Sequence, residues 1–243
     1  HGIHVWEVGE GIGLQLMVES GRCRPGGLVI GADSHSTTFG ACNAFGTGIG
    51  SSDLAAAMIS GQVWLRVPET MKVWLEGALR PGVAAKDIIL SLVGQLGREG
   101  ANYQSLEFLG PGVQSLSMDE RLVLSNMSVE MGAKAGIFLA DHATRAYLST
   151  RVVEPLMPVE PDQDARYARE IVIDLIDRGA FTGGAVEAVV VDEADRMADM
   201  GFLPQVDWIL RRLDARKQTL LFSATLDGDV DVIINRYLRD PIR

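Results

Sequence analysis

Short apolar runs alternate along this chain with longer segments whose apolar residues recur at helical spacing. That alternation confines the sequence to layered α/β architecture. Residues 28–31 read as a buried strand entering a polar loop, 33–38. Residues 46–52 read as a glycine-rich turn, with Ser51 or Ser52 capping a helix over 53–65. Residues 71–79 alternate as a strand, 85–96 form an amphipathic helix and 106–109 a short strand. Helical spacing returns at 119–133. A strand follows at 136–139, and Asp141 is placed to cap a helix running to Ser149. Residues 151–169, with Pro155, Pro158 and Pro161, read as an extended connector. Beyond it the pattern predicts a helix near 174–178, a loop at Gly183 and Gly184, and a continuous apolar strand at 186–191. A helix at 204–213, a strand at 219–222 and a helix near 230–237 complete it.

Composition removes several alternatives. Hydrophobic residues make up 47% and charged residues 22%, values of a packed chain and not of a disordered one. The formal net charge of −10 repels nucleic acid and anionic membranes from the surface as a whole. The dense basic cluster is Arg211, Arg212, Arg216 and Lys217. No apolar stretch approaches membrane-spanning length. Cys23 and Cys42 form neither a disulfide framework nor a C-x-x-C metal pair, which predicts a reducing, cytoplasmic setting. The sequence starts at His1 with no basic-then-apolar leader, as expected of an interior piece of a longer product.

Two constellations carry chemistry. In the first, a buried strand delivers Asp33, Ser34 and His35 to a loop, and loops on rigid strands are where sites sit. Asp33 and Ser34 equally suit a simple turn, their oxygens bonding nearby backbone. The glycines at 46–50 are no phosphate loop, because no lysine of the chain is followed by Ser or Thr. They read as a tight turn.

The longer strings resolve this. Gly31-Ala32-Asp33-Ser34-His35-Ser36-Thr37-Thr38-Phe39-Gly40-Ala41, Gly46-Thr47-Gly48-Ile49-Gly50-Ser51-Ser52-Asp53, Val67-Pro68-Glu69-Thr70-Met71-Lys72-Val73, Ser125-Asn126-Met127-Ser128-Val129-Glu130-Met131-Gly132-Ala133-Lys134 and Pro161-Asp162-Gln163-Asp164-Ala165-Arg166-Tyr167 fall in order. Together they resemble the aconitase superfamily, and within it the large subunit of 3-isopropylmalate dehydratase and homoaconitase. The resemblance spans residues 1–174. It implies a partial aconitase-type α/β/α domain that removes and re-adds water on a small hydroxy acid, with a 4Fe–4S cluster as Lewis acid and a small dehydratase subunit as partner. It pairs His4 with Asp33 and His35 with Glu130, and sets Ser34 and Asn126 in the same pocket. A carboxylate beside an imidazole fixes its tautomer and orientation for proton transfer. His4 follows Ile3 directly, one residue short of the family pattern. The three cluster cysteines of the family lie downstream and are matched by neither Cys23 nor Cys42, so no iron–sulfur ligand is assigned in this chain.

The second constellation is an apolar strand ending in Asp192-Glu193-Ala194-Asp195. Carboxylates at a strand's C-terminal edge suit magnesium–nucleotide chemistry. With Arg196-Met197, Met200-Gly201-Phe202 and Gln218-Thr219-Leu220-Leu221-Phe222-Ser223-Ala224-Thr225, it resembles the DEAD-box RNA helicases over residues 175–243. The resemblance implies a partial RecA-like parallel-sheet fragment. In it Asp192 positions magnesium, Glu193 activates water, and Asp195, Ser223 and Thr225 couple Mg-ATP to RNA. The family's phosphate loop is absent, so ATP hydrolysis is not expected of this piece. The junction falls within 171–178, where both resemblances share Asp174-Leu175.

Three readings follow. The first is a truncated hydro-lyase domain with a fused helicase fragment, inactive by itself. The second is a fragment of an ATP-dependent RNA helicase with a foreign front. The third is a non-enzymatic chimeric or artificial fold.

Overall fold

The structure is a computed structural model describing residues 3–80, 82–152, 154–175, 188–199, 201–211, 213, 218–226, 228–238 and 241. It divides into two units, His1–Arg178 and Gly179–Arg243. Both are α/β with parallel strands.

Among the described residues the larger unit contains two sheets. Strands β1 (Leu28–Gly31) and β2 (Phe45–Gly48) form a parallel pair, with Leu28 opposite Phe45 and Gly31 opposite Gly48. The second sheet is fully parallel, with spatial order β5-β4-β3-β6. Its strands are β3 (Thr70–Glu76), β4 (Ser105–Leu109), β5 (Ala135–Phe138) and β6 (Arg169–Asp174). The pleat of β3 sends Met71, Val73 and Leu75 into the core while Lys72, Trp74 and Glu76 face outward. Helix α3 (Ala85–Leu96) lays Ala85, Ile88, Ile89 and Leu92 on that core, the stripe its periodicity predicts. Phe108 and Phe138 stack at 4.8 Å between centroids.

Helix α1 (Gly13–Glu19) buries Val18 in a second cluster with Cys23, Phe39, Cys42 and Leu148. Helix α4 (Met118–Met127) starts at a capping box in which Ser117 and Glu120 satisfy each other's amides. A 3-10 turn, Ser128–Met131, continues it. Helix α5 (His142–Ser149) is capped by Asp141, as the sequence predicts.

Arg121 of α4 is fully buried. All five N–H groups of its guanidinium find acceptors: Leu116 O at 3.2 Å, Val113 O at 3.0 Å, Thr144 Oγ1 at 3.1 Å, and the two oxygens of Asp141 at 2.7 and 2.8 Å. The arginine rivets α4 to the start of α5.

Several expectations are corrected. The loop predicted at 33–38 is a long 3-10 segment, Ser34–Cys42. Residues 46–48 of the predicted 46–52 turn belong to strand β2. Its glycines disguise it, and they are required by close packing: a Cβ on Gly48 would sit 2.8 Å from Asp33 O and 2.9 Å from Ser34 Cα. Helix α2 (Ser51–Ser60) has Gly50 at its N-cap with no side-chain cap, so neither Ser51 nor Ser52 caps it. It stops at Gly61, whose φ of 69° ends the helix, and not at residue 65. The connector 151–169 runs into β6, which places Asp174 in a strand where a helix was predicted. Leu175 follows the strand as a turn, and 176–178 lie outside the described residues.

The smaller unit pairs β7 (Ala188–Val191) with β8 (Gln218–Leu221) in parallel. Helices α6 (Ala194–Asp199), α7 (Leu203–Leu210) and α8 (Asp229–Tyr237) surround a cluster of Val191, Ala194, Leu210, Val230, Ile233 and Ile234. Among the described residues, no strand lies on the outer edge of β7 or of β8.

Candidate functional site

The 3-10 segment Ser34–Cys42 opens with Asp33 as its cap, whose Oδ1 accepts the His35 amide at 2.7 Å. That bond turns the chain and presents the His35 ring. His35 Nε2 lies 3.3 Å from Glu130 Oε1, and Nδ1 lies 3.3 Å from Ser34 Oγ and 3.6 Å from Asp33 Oδ1. Glu130 arrives from the 3-10 turn after α4, far away in sequence, and both side chains are half-exposed.

Two threonines lock this approach. Thr37 Oγ1 donates to the Asn126 carbonyl at 3.0 Å, and Asn126 Nδ2 donates to Thr38 Oγ1 at 2.8 Å. Thr38 Oγ1 in turn donates to the His35 carbonyl at 2.6 Å. The backbones also meet at Gly40, where a Cβ would lie 2.7 Å from the Gly136 carbonyl carbon and nearer still to its oxygen. Sequence reading singled out Asn126 but not Thr37 or Thr38. Hydroxyls inside a loop give no periodic signal.

Ser34 and Val129, the chain neighbours of His35 and Glu130, line an open cavity of about 330 Å³ with Thr47, Gly48, Gly50 and Lys134. The structure thus gathers Asp33, Ser34, His35, Asn126 and Glu130. It does not pair His4 with Asp33. The His4 ring meets Trp6 edge-on, 4.6 Å between centroids, while the Asp33 carboxylate is engaged by His35.

The two cysteines sit elsewhere. Both are fully buried in the apolar cluster around Phe39, and Cys23 Sγ donates to Phe39 O at 3.5 Å. A hydrogen bond with Cys42, then burial, pushes the Cys23 thiol far above its ordinary range, so it stays protonated. Two cysteines packed in an apolar cluster do not fit the thiolate cradle of an iron–sulfur cluster.

In the smaller unit Asp192 follows β7 and accepts the Glu193 amide at 2.9 Å; Glu193 itself adopts φ 49°. Asp195 opens α6 and is held on several sides. Its amide donates to Ser223 Oγ at 3.0 Å, and its carboxylate accepts the Arg196 amide at 3.0 Å and the Thr225 amide at 3.2 Å. Desolvation raises the Asp195 carboxyl, but bonds from Arg196, Ser223 and Thr225 outweigh it and leave the group below its ordinary value. All five residues singled out in this region therefore gather at the C-terminal ends of β7 and β8.

Comparison with known proteins agrees with this division. A DEAD/DEAH box helicase family model matches residues 168–233. An aconitase family (aconitate hydratase) model matches residues 1–178. Among curated relatives, the 3-isopropylmalate dehydratase large subunit of Syntrophus aciditrophicus is 48% identical over 71% of this chain and 41% of its own length. Large subunit 1 of Methanopyrus kandleri is 45% identical over 72% of this chain and 42% of its own. A probable methanogen homoaconitase large subunit from Methanosarcina mazei is 46% identical over 70% and 43%. The chain spans about two-fifths of the length of these relatives. A match over His1–Arg178, the whole of the larger structural unit, makes this chain a member of the aconitase family.

Proposed function

We propose that the larger unit forms one wall of the active site of a hydro-lyase of the 3-isopropylmalate dehydratase type, acting on a small hydroxy acid together with a small subunit. The observation that carries this reading is the His35–Glu130 contact at 3.3 Å, beside a cavity lined by Ser34. With Nε2–H directed to Glu130, the ring offers Nδ1 to the Ser34 hydroxyl at 3.3 Å. A proton arriving at Ser34 from the cavity passes to His35, and Glu130 stabilises the resulting imidazolium. Asp33 lies on the other side of the ring and supplies a second compensating charge. When bound, the family's iron–sulfur cluster would act as Lewis acid toward the departing hydroxyl. Its thiolates would come from parts of the large subunit outside the matched region.

A graft tests the assignment. Residues 1–174 of this chain replace the matched segment of the Methanopyrus kandleri large subunit, and dehydration of isopropylmalate is measured with the small subunit present. His35→Ala is expected to lower kcat about 10²–10⁴-fold, the span of general acid–base catalysis, and Glu130→Gln by less. A graft whose kcat is unchanged by His35→Ala would remove His35 from the mechanism.

The 243-residue chain by itself is expected to bind no stoichiometric iron and sulfide after anaerobic reconstitution, because its two thiols are packed in the core. Iron and sulfide at cluster stoichiometry, together with a visible absorption band, would contradict this.

A further inference from the structure

We propose that Lys134 and Thr47 form the subsite that holds a carboxylate of the substrate in the cavity beside Ser34. The proposal rests on the hydro-lyase reading of that cavity and adds the groups that grip the acid there.

The cavity, about 330 Å³, lies at the C-terminal ends of the parallel strands β1 and β2, the end of such sheets where ligands bind. Among the described residues, Lys134 is the charged side chain that lines it. None of the ion pairs among those residues involves Lys134. A chain of net charge −10 has carboxylates in excess, yet leaves this cation without one. Thr47 lines the same cavity, is 1% exposed, and its Oγ1 has no hydrogen-bond partner among the described residues. Buried polar groups are normally paired, so an orphaned hydroxyl at a cavity marks the place of a ligand atom.

Local structure fixes the lysine at this rim. The Lys134 amide donates to Gln104 O at 2.8 Å and the Tyr103 amide to Gly132 O at 3.0 Å, which ties the two turns together. Tyr103 adopts φ 56°, a left-handed conformation that costs a non-glycine residue energy and persists where the surrounding structure demands it. The centre of its ring lies 5.2 Å from Lys134 Nζ and 4.6 Å from the Arg66 guanidinium carbon. An aromatic ring steers an ammonium without neutralising it, so the charge stays available to an anion. A carboxylate accepts charge-assisted bonds from an ammonium, whereas a neutral ligand gains little from it. Ser34 lines the same cavity, so an acid held by Lys134 has its remaining atoms beside the Ser34–His35 pair.

Titration of the full 243-residue chain with isopropylmalate tests this, read from the amide resonances of Gly48, Gly50 and Lys134. Saturable shifts with a Kd of about 1–10 mM are expected, the affinity of a few polar contacts in an open cavity. Lys134→Ala is expected to weaken binding about tenfold or more, and Lys134→Arg to restore most of it. Lys86→Ala, on exposed α3 surface, changes the net charge equally and is expected to leave binding unchanged. Thr47→Val is expected to weaken binding roughly threefold or more while the thermal midpoint holds or rises, because a buried hydroxyl without a partner costs stability. Four results would overturn the proposal. The first is no saturable shift. The second is equal weakening by Lys86→Ala, the mark of a diffuse field. The third is inorganic phosphate, or the uncharged dimethyl ester, binding as tightly as isopropylmalate. The fourth is a Thr47→Val chain that loses stability, which would show the hydroxyl bonded within the fold and remove Thr47 from the subsite. The readout is binding and not turnover, so failure here is separate from failure of His35 in the graft.

Discussion

Asp141→Ala is expected to destabilise the larger unit by about 3–5 kcal/mol, the cost of leaving a buried charge without its partner. Arg121 has no exposed surface, and the substitution removes the two oxygens that neutralise it. It also removes the cap of α5. Arg121→Met is expected to cost less. Asp141 is one-third exposed and can turn to water, although Leu116 O loses the arginine donor and Val113 O keeps only the Leu116 amide. The order of the two effects is the discriminating result, read from urea midpoints by hydrogen exchange in β3 and β4. Equal losses, or an Asp141→Ala loss below about 1 kcal/mol, would show that water reaches the guanidinium.

The same pair sets an acid limit. Desolvation raises the Asp141 carboxyl, but the hydrogen bonds and charge of Arg121 and the amides of Thr144 and Ala143 outweigh it, and its value lies below the ordinary one. A lowered folded-state value means that the stabilisation is fully present above the ordinary carboxylate range, near about pH 4. It is lost as pH falls through the lowered value. Stability should therefore drop on acidification below about pH 4, and Asp141→Asn should flatten that part of the profile.

The second large effect is expected at Gly40. Gly40→Ala would drive a methyl group into the backbone of Gly136, which can retreat only by moving β5. Overpacking of this kind costs about 1–3 kcal/mol or more. It acts where the Ser34–Cys42 segment meets β5, so it should also separate His35 from Glu130. Loss of exchange protection at residues 135–138 is the measurement. Gly94→Ala makes the contrast. Gly94 lies inside α3 with open space where its Cβ would go, and alanine there should stabilise by roughly 0.5–1 kcal/mol. Equal behaviour of the two variants would refute the packing argument.

Where side chains alternate or recur with a period, the sequence revealed the element. The stripe on α3 and the pleat of β3 are examples, because burial of one face demands those patterns. Strand β2 was hidden because its glycines are there for a backbone contact that no local pattern announces. Helix α1 was hidden because it is short and begins among glycines. The Asp33–Ser34–His35 cluster was legible as a loop on a strand. Its partner Glu130 was legible only through the family resemblance, since nothing local connects two side chains that far apart in sequence. Arg121 was not legible at all. A single arginine at helical spacing reads as a solvated side chain, and only its contact with Asp141 explains its burial.

Strand β6 occupies the short overlap where both family models match, residues 168–178. Its ladder runs to β3, and Ile173 and Leu175 belong to the core of the larger unit. Two family models therefore match the same residues, and the packing of the larger unit constrains them. Under mutational drift, polar changes at Ile173 or Leu175 should be purged whenever the dehydratase-like unit is under selection. The residues beyond the overlap are not part of that apolar cluster among the described residues. The two sides of the overlap should then accumulate change at different rates, with the step falling just after Leu175.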